Sequence, residues 1–130
     1  MQQSKYGFGR DLDEPFPVVL GRVREALKAE GFGVITEVDV QKTMKEKLGV
    51  DARPHAILGA CNPAFAHKAL GIEEDLGLLL PCNVVVYEKG AGSRVAVVNA
   101  AAILGLVGSE SLAPVAGEIQ ARLDRVLASV

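Results

Sequence analysis

The segment Cys82-Asn83-Val84-Val85-Val86-Tyr87, the short run Lys89-Gly90-Ala91-Gly92-Ser93 and the segment Arg94 to Asn99 constrain this chain more than any other part. Two β-branched stretches joined by a glycine-bearing turn read as an antiparallel hairpin. Helical periodicity surrounds it. Asp13-Glu14-Pro15 opens a helix, with acidic residues near the positive end of the dipole, and Val19, Val23, Ala26 and Leu27 form its apolar stripe. Gly31 stands where a helix C′ residue belongs. Asp39 can cap a short helix carrying Val40, Met44 and Leu48, closed by Gly49. Asn62-Pro63 is a helix start, with Asn as N-cap and Pro at the first helical position; Phe65, Ala66, Ala69 and Leu70 follow, and Gly71 ends it. A last helix spans about Leu112 to Ala128, with Pro114 tolerated only in its first turn.

Between these lie further strands. Tyr6 to Asp11 reads as a first strand with Tyr6 and Phe8 on one face. Gly33 to Val38 alternates, with Val34, Thr36 and Val38 on one side and Ile35 and Glu37 on the other. Pro54 to Cys61 is a strand of small apolar residues expected to be buried on both faces. Glu73-Glu74-Asp75 reads as a solvated turn. The expected order is β-α-β-α-β-α-β-β-α. The expected fold is a single α+β domain over residues 1–130, with one mixed sheet and helices packed on it.

Composition supports that size and excludes several roles. A chain of 130 residues buries about two-thirds of its unfolded surface, enough for a core without disulfide staples. Fourteen Lys and Arg against sixteen Asp and Glu give a net charge of −2, which argues against a nucleic-acid or anionic-membrane binder. No apolar run approaches the ~20 residues of a membrane span, and residues 1–9 have no apolar signal core. A cytoplasmic location is expected, in which two cysteines are free thiols rather than a structural disulfide.

Familiar catalytic patterns fail on inspection. Gly7-Phe8-Gly9 and Gly31-Phe32-Gly33 open like a dinucleotide loop, but Leu12 and Thr36 occupy the position of its last glycine. Gly92-Ser93-Arg94 lacks the spacing of a nucleophile elbow. There is no HExxH, CxxC, EF-hand or Walker A pattern. The Glu73–Asp75 run is read as a solvated face rather than a cation site. His67 is expected to face solvent. His55 and Cys61 share one strand but sit about 20 Å apart at ~3.3 Å per residue, too far to share a metal. No catalytic residue and no cofactor is expected.

One constellation stands out. Cys61 ends a strand immediately before a helix start, where unpaired N–H groups can lower a thiol pKa. Cys82 begins another strand. If the two strands are antiparallel neighbours, the thiols approach, with Asn62 and Asn83 beside them. Such a site could take a small ligand or a soft metal, or form a reversible disulfide. The plain alternative is that both cysteines pack as small hydrophobes and Asn62 is only a cap.

At these residues the chain resembles a known family. Ile57-Leu58-Gly59-Ala60-Cys61-Asn62-Pro63, then Ala66 and Ala69-Leu70, then Gly77-Leu78-Leu79-Leu80-Pro81-Cys82-Asn83-Val84-Val85-Val86-Tyr87-Glu88, are similar to the Domain of Unknown Function 302 family. Lys47-Leu48-Gly49-Val50 and Glu30-Gly31-Phe32-Gly33-Val34 fit the same pattern, so the resemblance spans about Val18 to Asn99. Much of that family carries only Gly-Asn-Pro and Leu-Pro here, so the thiols are neither its universal chemistry nor its structural staple. His55 stands where similar chains often carry an aromatic residue. The resemblance implies a small α+β domain that forms homodimers; it implies no activity, substrate or catalytic residue. Three functions follow as expectations: a non-enzymatic, cytoplasmic homodimer binding a small ligand or soft metal at Cys61, Asn62, Cys82 and Asn83; a structural or interaction dimer with core cysteines; or a thiol redox enzyme using Cys61.

Overall fold

The computed structural model describes residues 2–130. Its strands are β1 (Gln2–Gln3), β2 (Gly7–Leu12), β3 (Gly33–Asp39), β4 (His55–Cys61), β5 (Cys82–Lys89) and β6 (Gly92–Val98). Its helices are α1 (Phe16–Ala29), α2 (Val40–Leu48), α3 (Pro63–Ile72), α4 (Ala100–Gly105) and α5 (Ala113–Ser129), with a short 3-10 helix over Glu74–Leu79. All six strands form one sheet in the order β1-β2-β6-β5-β4-β3. The α+β class and the hairpin of β5 and β6 stand as read from the sequence.

The sheet is antiparallel throughout, not mixed. The physical reason lies in the helical connections. A parallel neighbour needs a crossover that returns the chain to the end it started from. Helix α2 joins β3 to β4, and α3 with the 3-10 helix joins β4 to β5, yet both pairs are antiparallel. These helices are excursions at a strand end, and a helix between two strands looks the same in sequence either way. Only α1 makes a long passage, from β2 near one edge to β3 at the other.

One face of the sheet carries the core. Val19, Val23 and Leu27 of α1 and Ile119, Leu123, Val126 and Leu127 of α5 pack with Leu58, Val84, Val86, Val95 and Val97. Each such aliphatic side chain contributes about 1.5–3 kcal/mol when fully buried. Arg10 in β2 reaches the far end of α5, where its guanidinium donates to the carbonyls of Leu127 (3.0 Å) and Ala128 (3.2 Å). A cation there satisfies orphan carbonyls and opposes the negative end of the helix dipole.

Local readings are corrected in four places. Asp13 and Glu14 precede α1, whose N-cap is Pro15; Glu14 instead pairs with Arg22 and its carbonyl accepts from Ser93 Oγ. Tyr6 lies outside β2 and is 72% exposed, whereas Phe8 packs against the core. A bulge in β3 between Val34 and Thr36 breaks the alternation, so Val34 lies opposite Ala60 while Thr36 and Val38 lie opposite Gly59 and Ile57. The acidic turn at residues 73–75 continues into the 3-10 helix, anchored by buried Leu76. Two elements absent from the expected order, β1 and α4, complete the chain; α4 is capped by Asn99, whose side chain accepts from the Ala102 amide at 3.1 Å.

Candidate functional site

The ends of β4 and β5 build the site. Their register sets Ala60 opposite Cys82 and Gly59 opposite Asn83. The two cysteine-bearing strands are therefore antiparallel neighbours, which is the condition on which their approach depended. Cys61 lies one residue beyond the Ala60–Cys82 pair. Successive strand residues point to opposite faces, so the two thiols flank the end of the sheet rather than face each other across a pair. Both are free thiols, Cys82 buried and Cys61 half-buried.

Both border a cavity of about 240 Å³, lined also by Ala66 and Leu70 of α3, Ile119 of α5, Phe32 just before β3 and Ile35 within it. Leu80 and Pro81, joined by a cis peptide bond, and Asn62 complete the wall. The lining is aliphatic and aromatic except for the thiols and the Asn62 amide. Burial pushes the Cys82 thiol up to about 11, and the neighbouring Cys61 adds to the rise. A thiol so placed stays protonated at neutral pH, which works against nucleophilic chemistry at Cys82.

Asn62 holds the N-cap position of α3 but makes no capping hydrogen bond. Its Nδ2 donates instead to the Glu30 carbonyl at 3.2 Å. The same carbonyl accepts from Arg122 at 3.0 Å, and the Arg122 guanidinium lies 5.2 Å from the Phe65 ring centre. Asn62 thus ties α3 to the turn after α1, and Arg122 ties α5 to both. Gly31 in that turn has φ +85, and a Cβ there would lie 3.2 Å from Asn62 Nδ2. The positive φ favours glycine, and a side chain here would also press on the Asn62 amide.

Three of the four sequence candidates, Cys61, Asn62 and Cys82, border one cavity. Asn83 does not. It is exposed on the opposite face of the sheet, in a trough of about 570 Å³ with Tyr6, Gly7, Val85, Tyr87, Arg94 and Ala96. Alternation explains the separation, since adjacent residues of β5 cannot serve the same face. The apolar contributors Phe32, Leu70 and Ile119 were not singled out from sequence; their helical and strand spacing marks them only as core. Among the described residues no cluster of three or more His, Cys, Asp or Glu side chains is placed to hold a metal ion. His55 and Cys61 occupy opposite ends of β4, and His67 is exposed. His55 instead stacks on Tyr87, ring centres 5.1 Å apart, with Arg53 4.5 Å from the same ring centre.

The family model described as "Domain of unknown function DUF302" matches residues 8–130. A solved structure, the crystal structure of an uncharacterized conserved DUF302 protein from Bacillus stearothermophilus, is similar over 97% of this chain and 98% of that one, with TM-score 0.88 and 29% sequence identity. No curated protein matches the chain.

Proposed function

We propose that this chain, which belongs to the DUF302 family, is a non-enzymatic binding module whose ligand is a small, largely apolar molecule held at Cys61 and Cys82. The cavity carries the reading. An apolar cavity of about 150 Å³ is large enough for benzene, so about 240 Å³ suits a ligand the size of a small bicyclic ring. It falls short of the ~300 Å³ at which drug-sized pockets begin. Asn62 supplies the one neutral polar group that could orient such a molecule, and the Cys61 and Cys82 sulfurs supply polarizable contacts. The raised thiol pKa of Cys82 keeps that sulfur protonated, which suits a packing contact rather than a nucleophile at this position. The module is proposed to work as a homodimer in the cytoplasm; two free thiols suit a reducing compartment. No helix among the described residues is long and apolar enough to cross a membrane.

The test is an amide-resonance titration with indole as probe. The expected result is saturable shifts at Cys61, Ala66, Leu70, Cys82 and Ile119, absent in Ala66→Phe, which fills the cavity. A parallel titration with Cu(I) under anaerobic conditions examines the soft-metal reading. Tight one-to-one Cu(I) binding lost in Cys82→Ala, with no response to indole, overturns the apolar-ligand proposal.

A further inference from the structure

Arg122 is the residue whose charge the fold leaves least compensated. Arginine is seldom buried without a partner for its charge. Arg122 is half-buried, yet among the described residues no carboxylate stands within ion-pair distance of it. The acid of the residue it touches, Glu30, is taken by Arg125 at 2.9 Å. A guanidinium carries five N–H donors. One, on Nη1, reaches the Glu30 carbonyl at 3.0 Å, while Nε is buried with no acceptor among the described residues. That carbonyl closes α1, so it offers the partial charge of a helix end, about half an elementary charge, against a full positive one.

The surroundings give this cation a place to receive an anion. The Asn62 amide donates to the same Glu30 carbonyl at 3.2 Å, so amide and guanidinium stand side by side. The next residue, Gly31, is exposed and has no side chain. A Cβ built on it would lie 3.2 Å from Asn62 Nδ2 and 3.9 Å from Arg122 Nη1. The space above Gly31 is therefore an open notch bordered by two N–H donors. It adjoins the apolar cavity, because Asn62 and Phe32, the residue after Gly31, both line that cavity. The cavity also opens to solvent: of its lining residues, Ile35 is 62% exposed and Leu70 39%. Helix α3 starts here with no acid in its first turn and no side-chain cap, which adds to the positive field of Arg122.

We infer that the molecule held in the cavity is a monocarboxylate. Its ring or short chain fills the aliphatic space, and its carboxylate lies in the notch above Gly31, against Arg122 and Asn62. The inference rests on the ligand reading above and names the class of ligand. A carboxylate accepts from a guanidinium in a charge-assisted bond, roughly twice as strong as a neutral one, and brings the counter-charge that Arg122 lacks. One cation matches one negative charge, which favours a carboxylate over a phosphate carrying about −1.5 to −2. An amine in the same place would oppose Arg122, and a neutral ligand would leave its charge as it is.

The experiment titrates the protein with indole, indole-3-propionate and tryptamine, which share one ring and differ in the charge they carry. Wild type is expected to bind the propionate at least about tenfold more tightly than indole, and tryptamine no more tightly than indole. In amide-resonance spectra the propionate alone is expected to move Gly31. Arg122→Gln is expected to lose the preference for the acid and to keep the affinity for indole, with circular dichroism as the check on folding. Should that variant not fold, Asn62→Asp takes its place: aspartate is a good N-cap, and its charge is expected to turn the acid into a poorer ligand than indole. Indole binding with no preference for the acid overturns the carboxylate and leaves the cavity reading standing. So does a preference that survives the substitution, or one that leaves Gly31 unmoved. Failure of all three ligands to bind removes the cavity reading and the carboxylate together.

Discussion

Cys82 and Gly59 show how much rests on single residues. Cys82 is held as a neutral thiol by burial, and the proximity of Cys61 raises its pKa further. Its folded-state pKa, about 11, exceeds the ~8.5 of a free thiol. The stability this contributes is complete below about 8.5 and is lost as pH rises through 11. Alkylation followed by mass spectrometry is therefore expected to modify Cys61 first at neutral pH, with Cys82 reacting only as the solution approaches pH 11. Equal rates at pH 7 would contradict the buried placement. Gly59 sits opposite Asn83, one register step from the Ala60–Cys82 pair. A Cβ there would collide with Thr36 Oγ1 and lie 2.7 Å from Pro81 Cγ. Gly59→Ala is expected to cost about 1–3 kcal/mol by overpacking, read as a lower denaturant midpoint at unchanged slope. The glycine's necessity was not legible in the sequence. It arises from the β3 bulge that brings Thr36 over it, and a bulge leaves no composition signal.

At the scale of elements, the long periodic segments were legible and the short ones were not. Helices α1 and α5 carry stripes long enough to declare themselves: Val19, Val23 and Leu27 on the first, and Val115, Ala116, Ile119, Leu123, Val126 and Leu127 on the second, are buried. Leu123 of α5 is fully buried, so Leu123→Ala is expected to cost about 2–5 kcal/mol in chemical unfolding. Helix α4 escaped because its six residues follow an apolar strand and its start signal, Asn99, reads equally well as the strand's end. Helix α2 was recognised from Asp39, whose side chain accepts from the Lys42 amide at 3.0 Å, yet none of its residues is buried. Periodicity found the helix without revealing that its stripe stays exposed. On β4, desolvation chiefly, and Arg53 next, lower the His55 pKa. A histidine whose folded pKa is depressed stabilises the fold above its unfolded value near 6.5, and that contribution is lost as pH falls through the lower folded value. Wild-type stability should therefore decline on acidification below about 6.5 more steeply than that of His55→Phe, a substitution that keeps a ring against Tyr87. Parallel pH profiles for the two proteins would remove His55 from the account.

For the molecule as a whole, the α+β class and the hairpin were legible in the residues, while the pairing of the two cysteine-bearing strands stood only as a condition. The strand order was not legible, because a helix between two strands does not say whether the chain crosses over or turns back. That order decides the function proposed here. It brings Cys61 and Cys82 to one end of the sheet and sends Asn83 to the other face. It also leaves a cavity beneath α3 on one side and a row of aliphatic side chains, Val38, Ile57, Val85 and Ala96, on the other. The most direct test of the ligand cavity is the rate of Cys61 alkylation with and without saturating indole, in the wild type and in Ala66→Phe. Indole is predicted to slow the reaction in wild type, and Ala66→Phe to react at a rate that indole does not change. A wild-type rate indifferent to indole would contradict the account.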